Sequence, residues 1–359
     1  MKPVLPLYAA GFVTAFGAHS VASSLGFLHT DLLTLGILLA LYDGAEVLLK
    51  PILGSLADRI GPRPVLLAGL TAFAVASAAF TLVDNVAVAR FGQGMAAAAF
   101  SPAAGAMVAR LTPDNARGRA FGRYGAWKGL GYTAGPLLGG VLIHFGGFDV
   151  LFLTMAALAV IVAAWALRAV PNLEPLPRQR QTVADLAKRL SHKDFLRPTT
   201  ALAASTAALA TGVGFLPVKA ADHGPIVTGA AVSLLAITAA LIQPRVGKAL
   251  DAGRITSTRP GILTAAAGFV AAAAIPGLAG TLVAAVLIGA GSGAVTPLAF
   301  AALANATPKE RLGQTMGSAE VGRELGDAGG PLLTGGLAAV ASLPVGLLAL
   351  AAVIALTAW

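Results

Sequence analysis

Apolar residues run along this chain in blocks of about twenty, set apart by short polar breaks. The blocks fall at 4–28, 33–56, 64–82, 85–110, 119–143, 147–169, 199–220, 225–249, 260–276, 279–304, 311–337 and 340–358. At about 1.5 Å per residue, each is long enough for a helix to cross a bilayer's hydrocarbon. The pattern predicts an all-α membrane protein with twelve spans. The short alternating segments of a transmembrane barrel do not occur in it.

The second half repeats the first. "SPAAGAMVARLTPDNARGRAFG" (101–122) resembles "TPLAFAALANATPKERLGQTMG" (296–317). Pro102 pairs with Pro297, Pro113 with Pro308, Gly118 with Gly313, Gly131 with Gly326 and Pro136 with Pro331, each 195 apart. "GSLADR" (54–59) has an echo in "GKALDAGR" (247–254), which pairs Gly54 and Asp58 with Gly247 and Asp251. Six spans followed by six similar spans in the same orientation predict two pseudo-symmetric bundles. The expected division is a bundle over 1–170, a linker over 171–198 and a second bundle over 199–359. Within the linker, Val183, Leu186, Ala187 and Leu190 recur at helical spacing. That suits a short helix on the membrane surface, with a plain solvated linker as the alternative.

Composition agrees: 57% of residues are hydrophobic and 11% charged, where a soluble domain has about a quarter charged. The net charge of +9 does not indicate nucleic acid. Lys and Arg gather in alternate breaks, "DRIGPRP", "RLTPDNARGR", "DAGRITSTR" and "TPKER", which is the positive-inside pattern. It places both termini in the cytoplasm and the chain in the cell membrane as a multi-pass protein. Lys2 before a full-length span reads as a retained first helix. With zero Cys there is no disulfide frame or thiolate metal site.

Three motifs carry a family likeness. "GSLADRIGPRP" resembles the cytoplasmic signature G-x-x-x-D-R-x-G-R-R of the major facilitator superfamily, at Gly54, Asp58, Arg59, Gly61 and Arg63, with Pro62 departing from it. "ARFGQGMAAAA" resembles the R-x-x-Q-G signature of its proton-coupled exporters, at Arg90, Gln93 and Gly94. "GYTAGPLLGG" resembles the G-x-x-x-G-P-x-x-G-G signature of its antiporters, at Gly131, Gly135, Pro136, Gly139 and Gly140. The resemblance implies an alternating-access transporter of the twelve-helix drug–proton antiporter branch. In it, Asp58 at the end of span 2 would cap span 11 and latch the cytoplasmic side.

Physical chemistry suggests roles for these residues. Gly54 would let helices approach closely, and Gly61 permits a tight turn. Arg59 and Arg63 suit lipid phosphate or a neighbouring carboxylate. Gly131, Gly135, Gly139 and Gly140, and in the second half Gly330, would bring neighbours close at the seam between bundles, with Pro136 and Pro331 as kinks.

Charge inside the spans is the strongest pointer to chemistry. Span 2 holds Asp43, Glu46 and Lys50 on one face, span 5 holds Lys128, and span 11 holds Glu320, Arg323, Glu324 and Asp327. Carboxylates in apolar surroundings favour the neutral form and can carry protons, so Asp43, Glu46, Glu320, Glu324 and Asp327 are the coupling candidates. Lys50, Lys128 and Arg323 are the expected ion-pair partners, and static pairing is the alternative. His19 could bind a proton, or be a hydrogen-bonded polar spot between helices. Arg90 with Gln93 could hold a substrate or tune a carboxylate, or Arg90 could snorkel to the interface. Thr14, Ser20, Ser23, Ser205, Thr206, Thr211 and Ser292 could line a cavity or ease packing, with Phe215 and Trp127 offering apolar surface.

The reading that follows is proton-coupled export of a small amphipathic or drug-like compound. It uses the proton gradient and no cofactor, metal or nucleic acid, and a monomer in contact with lipid and substrate is expected. Proton-coupled nutrient uptake on the same fold is the alternative, and a non-transporting sensor or enzyme a remote one. "DGAEVLLKPILGSLAD" only faintly resembles the metal site of CDP-alcohol phosphotransferases, because Pro62 stands where its last aspartate belongs.

Overall fold

The computed structural model describes residues 4–28, 31–82, 85–112, 117–174, 192–305 and 312–358. The surface helix expected over 183–190 lies outside them. The described chain is helical throughout. It begins with α1 (Leu5–Leu28), α2 (Leu32–Ile60), α3 (Pro62–Ala79) and α4 (Val86–Arg110). A helical trace over Arg117–Ala169 follows, broken at Gly147 with φ 73° and ψ −177° into α5 (117–146) and α6 (148–169). Then come α7 (Lys193–Lys219), a single 3-10 turn (Ala221–His223), α8 (Gly224–Asp251) and α9 (Arg259–Ala274). The last three are α10 (Gly277–Asn305), α11 (Leu312–Val340) and α12 (Leu343–Leu356). The twelve helices match the expected spans in order, with ends shifted by a few residues; α7 starts earlier, at Lys193, before Pro198.

Seven described stretches are long and apolar enough to cross a membrane, and one, Ala126–Ala169 of 44 residues, takes in most of α5 and all of α6. α9 and α12 are apolar but shorter, at 16 and 14 residues. Only glycine readily adopts the Gly147 backbone conformation, and a Cβ there would meet nothing within 4 Å. Gly147→Ala therefore isolates backbone strain. It should lower stability by about 1–3 kcal/mol, read as an earlier thermal midpoint of the detergent-purified protein.

The chain divides into two compact units, Met1–Val21 with Leu41–Gln179, and Ala22–Ala40 with Arg180–Trp359. The C-terminal end of α1 and the N-terminal end of α2 thus group with the second unit rather than with the rest of 1–170. In unit 1, Leu66, Leu70 and Phe73 of α3, Phe100 and Met107 of α4, and Leu151 and Met155 of α6 form a fully buried interior. Phe80 stacks on Phe152 at 4.5 Å between ring centroids. In unit 2 the core gathers Leu235, Ile262, Phe269, Ile288, Leu347 and Leu350 from α8, α9, α10 and α12. Phe215 of α7 is fully buried as well. Ser205 and Ser292 each donate to the other's carbonyl at 3.2 Å, joining α7 to α10.

Glycine sets how closely the helices pack, because apolar lipid provides no hydrophobic drive between them. A Cβ on Gly131 or Gly135 of α5 would lie 2.5 or 2.8 Å from the carbonyl oxygens of Phe12 and Phe16 in α1. The equivalent Gly326 and Gly330 of α11 press on the carbonyls of Ala203 and Ala207 in α7. The repeated phrase is therefore a repeated clasp, α5 on α1 and α11 on α7, each inside its own unit. This corrects the expectation that these glycines look onto the seam. A helix with small residues on one face settles on the neighbour that can come nearest. Farther along α11, a Cβ on Gly335 would lie 2.5 Å from the Leu32 carbonyl of α2. Both Pro136 and Pro331 lie inside helices, each next to a clasp glycine. Gly54 is a second correction. Among the described residues the nearest atom to a Cβ there is Pro102 Cβ at 3.7 Å, an ordinary contact that does not require glycine.

Candidate functional site

Unit 1 holds a buried polar cluster. Its placement starts with Asn85, whose side-chain oxygen accepts from the backbone N–H groups of Ala87 at 3.0 Å and Val88 at 3.4 Å. That cap fixes the start of α4 and sets Arg90 about one turn inside it. Gly94, the next turn, presses against the backbone of Tyr42, so α2 and α4 are locked side by side. The lock lays the Arg90 guanidinium over the Tyr42 ring, 4.4 Å from its centroid. Stacked so in a desolvated place, a cation and a ring attract by about 2 kcal/mol. Arg90 Nη1 donates to Gln93 Oε1 at 2.8 Å. Arg90 is 2% exposed and Gln93 0%, which rules out the snorkelling alternative.

Glu46 lies one turn beyond Tyr42 and is 7% exposed. It accepts from Lys50 Nζ at 2.6 Å, so the expected pairing along α2 is present. Arg90 sits in the negative field of both Asp43 and Glu46. Across from them, the His19 ring of α1 tilts onto Tyr132 of α5 at 4.3 Å, and Lys128 Nζ stands 5.9 Å over the same ring. His19 feels the charge of Arg90 and of Lys128. Phe12 meets Trp127 edge-on at 6.5 Å. His19, Glu46, Lys50, Arg90, Gln93 and Lys128 are therefore brought together by four helices of one unit, with Trp127 beside Lys128 in sequence and against Phe12.

Other candidates fall elsewhere. Thr14 is buried and turns back to the Ala10 and Gly11 carbonyls, and Phe215 is a core residue of unit 2, so neither lines a site. Ser20 donates to the Gly135 carbonyl at 2.8 Å and is part of the α1–α5 clasp. In unit 2, Glu324 is 6% exposed and Asp327 half-buried on α11. The Arg323 carbonyl accepts from Thr206 at 2.7 Å. Arg59 is exposed at the end of α2. Gly61 takes φ 95° in the turn before α3. Arg63 reaches the Leu167 carbonyl at 2.6 Å near the end of α6, where helix carbonyls lack partners, rather than a carboxylate. A Cβ on Gly247 would meet nothing within 4 Å among the described residues. The side chains of Asp58, Asp251 and Glu320 lie outside the described residues.

Two site residues were not singled out in the sequence. Tyr42 and Tyr132 look like ordinary aromatic residues of a span. The available signals were Tyr42 beside Asp43, and Tyr132 inside "GYTAGP", one turn beyond Lys128.

The charges of this polytopic helical protein are thus paired and buried inside one unit. The Major Facilitator Superfamily model matches residues 7–219 and 200–359, and the chain belongs to that family. It is a multi-pass membrane protein of that family. It is similar to the tetracycline resistance protein, class C, of Escherichia coli, 39% identical over 109 residues, which is 30% of this chain and 28% of that protein. It is similar to multidrug resistance protein 2 of Bacillus subtilis, 30% identical over 144 residues, 39% of this chain and 36% of that protein. It also resembles the quinolone resistance protein NorA of Staphylococcus aureus, 27% identical over 143 residues, 39% of this chain and 33% of that protein. The alignments span about a third of these relatives' lengths. The fold matches an inward-facing bacterial homologue of the human lysosomal transporter Spinster, with TM-score 0.82 and 14% identity over 99% of this chain and 95% of that one. It also matches a POT family transporter solved with 5-aminolevulinic acid, with TM-score 0.83 and 13% identity over 99% of this chain and 94% of that one.

Proposed function

We propose that this chain exports a small amphipathic compound from the cytoplasm in exchange for protons. The observation that carries the reading is Glu46, a carboxylate buried in α2, held by Lys50 and set in the field of a buried Arg90. A carboxylate so placed can exist charged beside its cation or neutral without it, and switching between the two is what proton exchange requires. Relatives named for tetracycline, quinolone and multidrug resistance support the outward direction. The positive-inside pattern supports the cytoplasmic membrane with both termini inside. Asp43, Glu324 and Asp327 are further coupling candidates. Asp58, Arg59, Gly61 and Arg63 are proposed as the cytoplasmic gate, and the two sequence halves as bundles that alternate access.

Direction is tested in everted membrane vesicles energised to be acid inside, with tetracycline and a quinolone as probes. Export predicts that at least one accumulates inside and leaks out when an uncoupler collapses the gradient. Accumulation only in right-side-out vesicles energised to be acid outside would establish uptake instead.

A further inference from the structure

Two buried groups in unit 1 hold hydrogen-bond donors that nothing among the described residues accepts. Arg90 spends Nη1 on Gln93 Oε1, which occupies the acceptor end of that amide. Gln93 Nε2 is then left buried with no partner, and so is Arg90 Nε. The flat face of the guanidinium is already against Tyr42. An unmatched polar group is costly in a protein interior, and more so in a membrane protein, where water is scarce. Such groups kept at membrane depth mark a substrate or ion path.

The chemistry of the missing partner follows from what remains. The unmatched atoms are donors only, so they call for an acceptor. Beside a guanidinium, a charged oxygen acceptor is held about twice as strongly as a neutral one. A cationic solute has nothing to offer Arg90 Nε or Gln93 Nε2. The partly exposed Tyr132 ring lies against His19, which feels the Arg90 charge, and Trp127 stands against Phe12 farther along the same two helices. Their faces and edges suit a flat apolar frame. We propose that the transported solute carries a carboxylate or similar oxyanion on an aromatic frame, and that Arg90 Nε and Gln93 Nε2 receive that oxyanion. This rests on the transporter reading above, but not on the direction of transport or on proton coupling. The two nitrogens are covered in this structure, and the solute would meet them in a state where the cover is withdrawn.

The test uses the full chain in detergent, with benzoate, salicylate and 1-naphthoate, each compared with its primary amide by equilibrium dialysis. At least one acid should bind tenfold or more tightly than its amide. Gln93→Glu keeps an acceptor for Arg90 but replaces the unmatched donors, and should weaken that acid at least tenfold. Gln93→Met removes the donors without adding charge. It should do the same, and it serves if the glutamate variant does not fold, as judged by its melting curve. The proposal is overturned if no acid outbinds its amide, or if the advantage survives in a folded Gln93 variant; the donors then hold only water. An acid that binds as expected yet moves no protons in liposomes would sink coupling and leave the acceptor site standing.

Discussion

Replacing Glu46 with glutamine should reduce solute-driven proton movement at least tenfold while leaving downhill exchange of solute measurable. The substitution keeps the size of the side chain and removes its ability to alternate between charged and neutral forms. In the native protein the Lys50 ammonium lies 2.6 Å from Glu46, and Arg90 feels the same carboxylate. Protonation would release Lys50 and weaken the negative field on Arg90, which Asp43 would still share, an electrostatic change confined to a buried place where charge is poorly screened. A charge pair remade in each cycle can link a proton to a shape change in this way, whereas a fixed amide cannot. Asp43→Asn separates Glu46 from its neighbour three residues away. If proton movement is lost with asparagine at 43 and kept with glutamine at 46, the carrier is Asp43.

The second large effect concerns the clasps. Gly326→Ala should destabilise the protein by about 3 kcal/mol, since overpacking a tight contact costs about 1–3 kcal/mol and a hydrogen bond about 1 more. The added methyl would overlap the Ala203 carbonyl and come within 2.5 Å of Thr206 Oγ1. Thr206 would have to give up its 2.7 Å bond to the Arg323 carbonyl or move α7 away from α11. Gly329→Ala, three residues on, is the matched control. A Cβ there meets nothing within 4 Å, so its stability should stay within about 1 kcal/mol of the native protein. Thermal midpoints of the two variants in one detergent check the pair. Equal midpoints would show that the close contact carries no stability.

The helix order was legible because apolar length alone sets a membrane span, and length survives errors at the ends. The break at Gly147 was also legible, since "HFGGFD" is polar and glycine-rich between two apolar runs. The packing partners were not. Gly131 and Gly135 were readable as a small-residue face, but whether that face meets the same unit or another depends on tertiary placement. Gly54 looked like the same kind of residue and has room for a Cβ. The site was half legible. Charge in a span stands out by its cost, so Arg90, Glu46, Lys50 and Lys128 were found. Tyr42 and Tyr132 were not, because an aromatic ring in a span is unremarkable until a cation is seen over it.

The central claim is that buried carboxylate chemistry in unit 1 couples solute to protons. It is tested most directly in liposomes holding the purified protein and a pH-sensitive dye, with a pH gradient imposed before solute is added. Tetracycline, a quinolone and the aromatic carboxylates above are the solutes to screen. Coupling predicts that at least one solute dissipates the gradient with the native protein and fails to do so with Glu46→Gln. Solute movement that is indifferent to the gradient, or proton movement that survives glutamine at position 46, would contradict it.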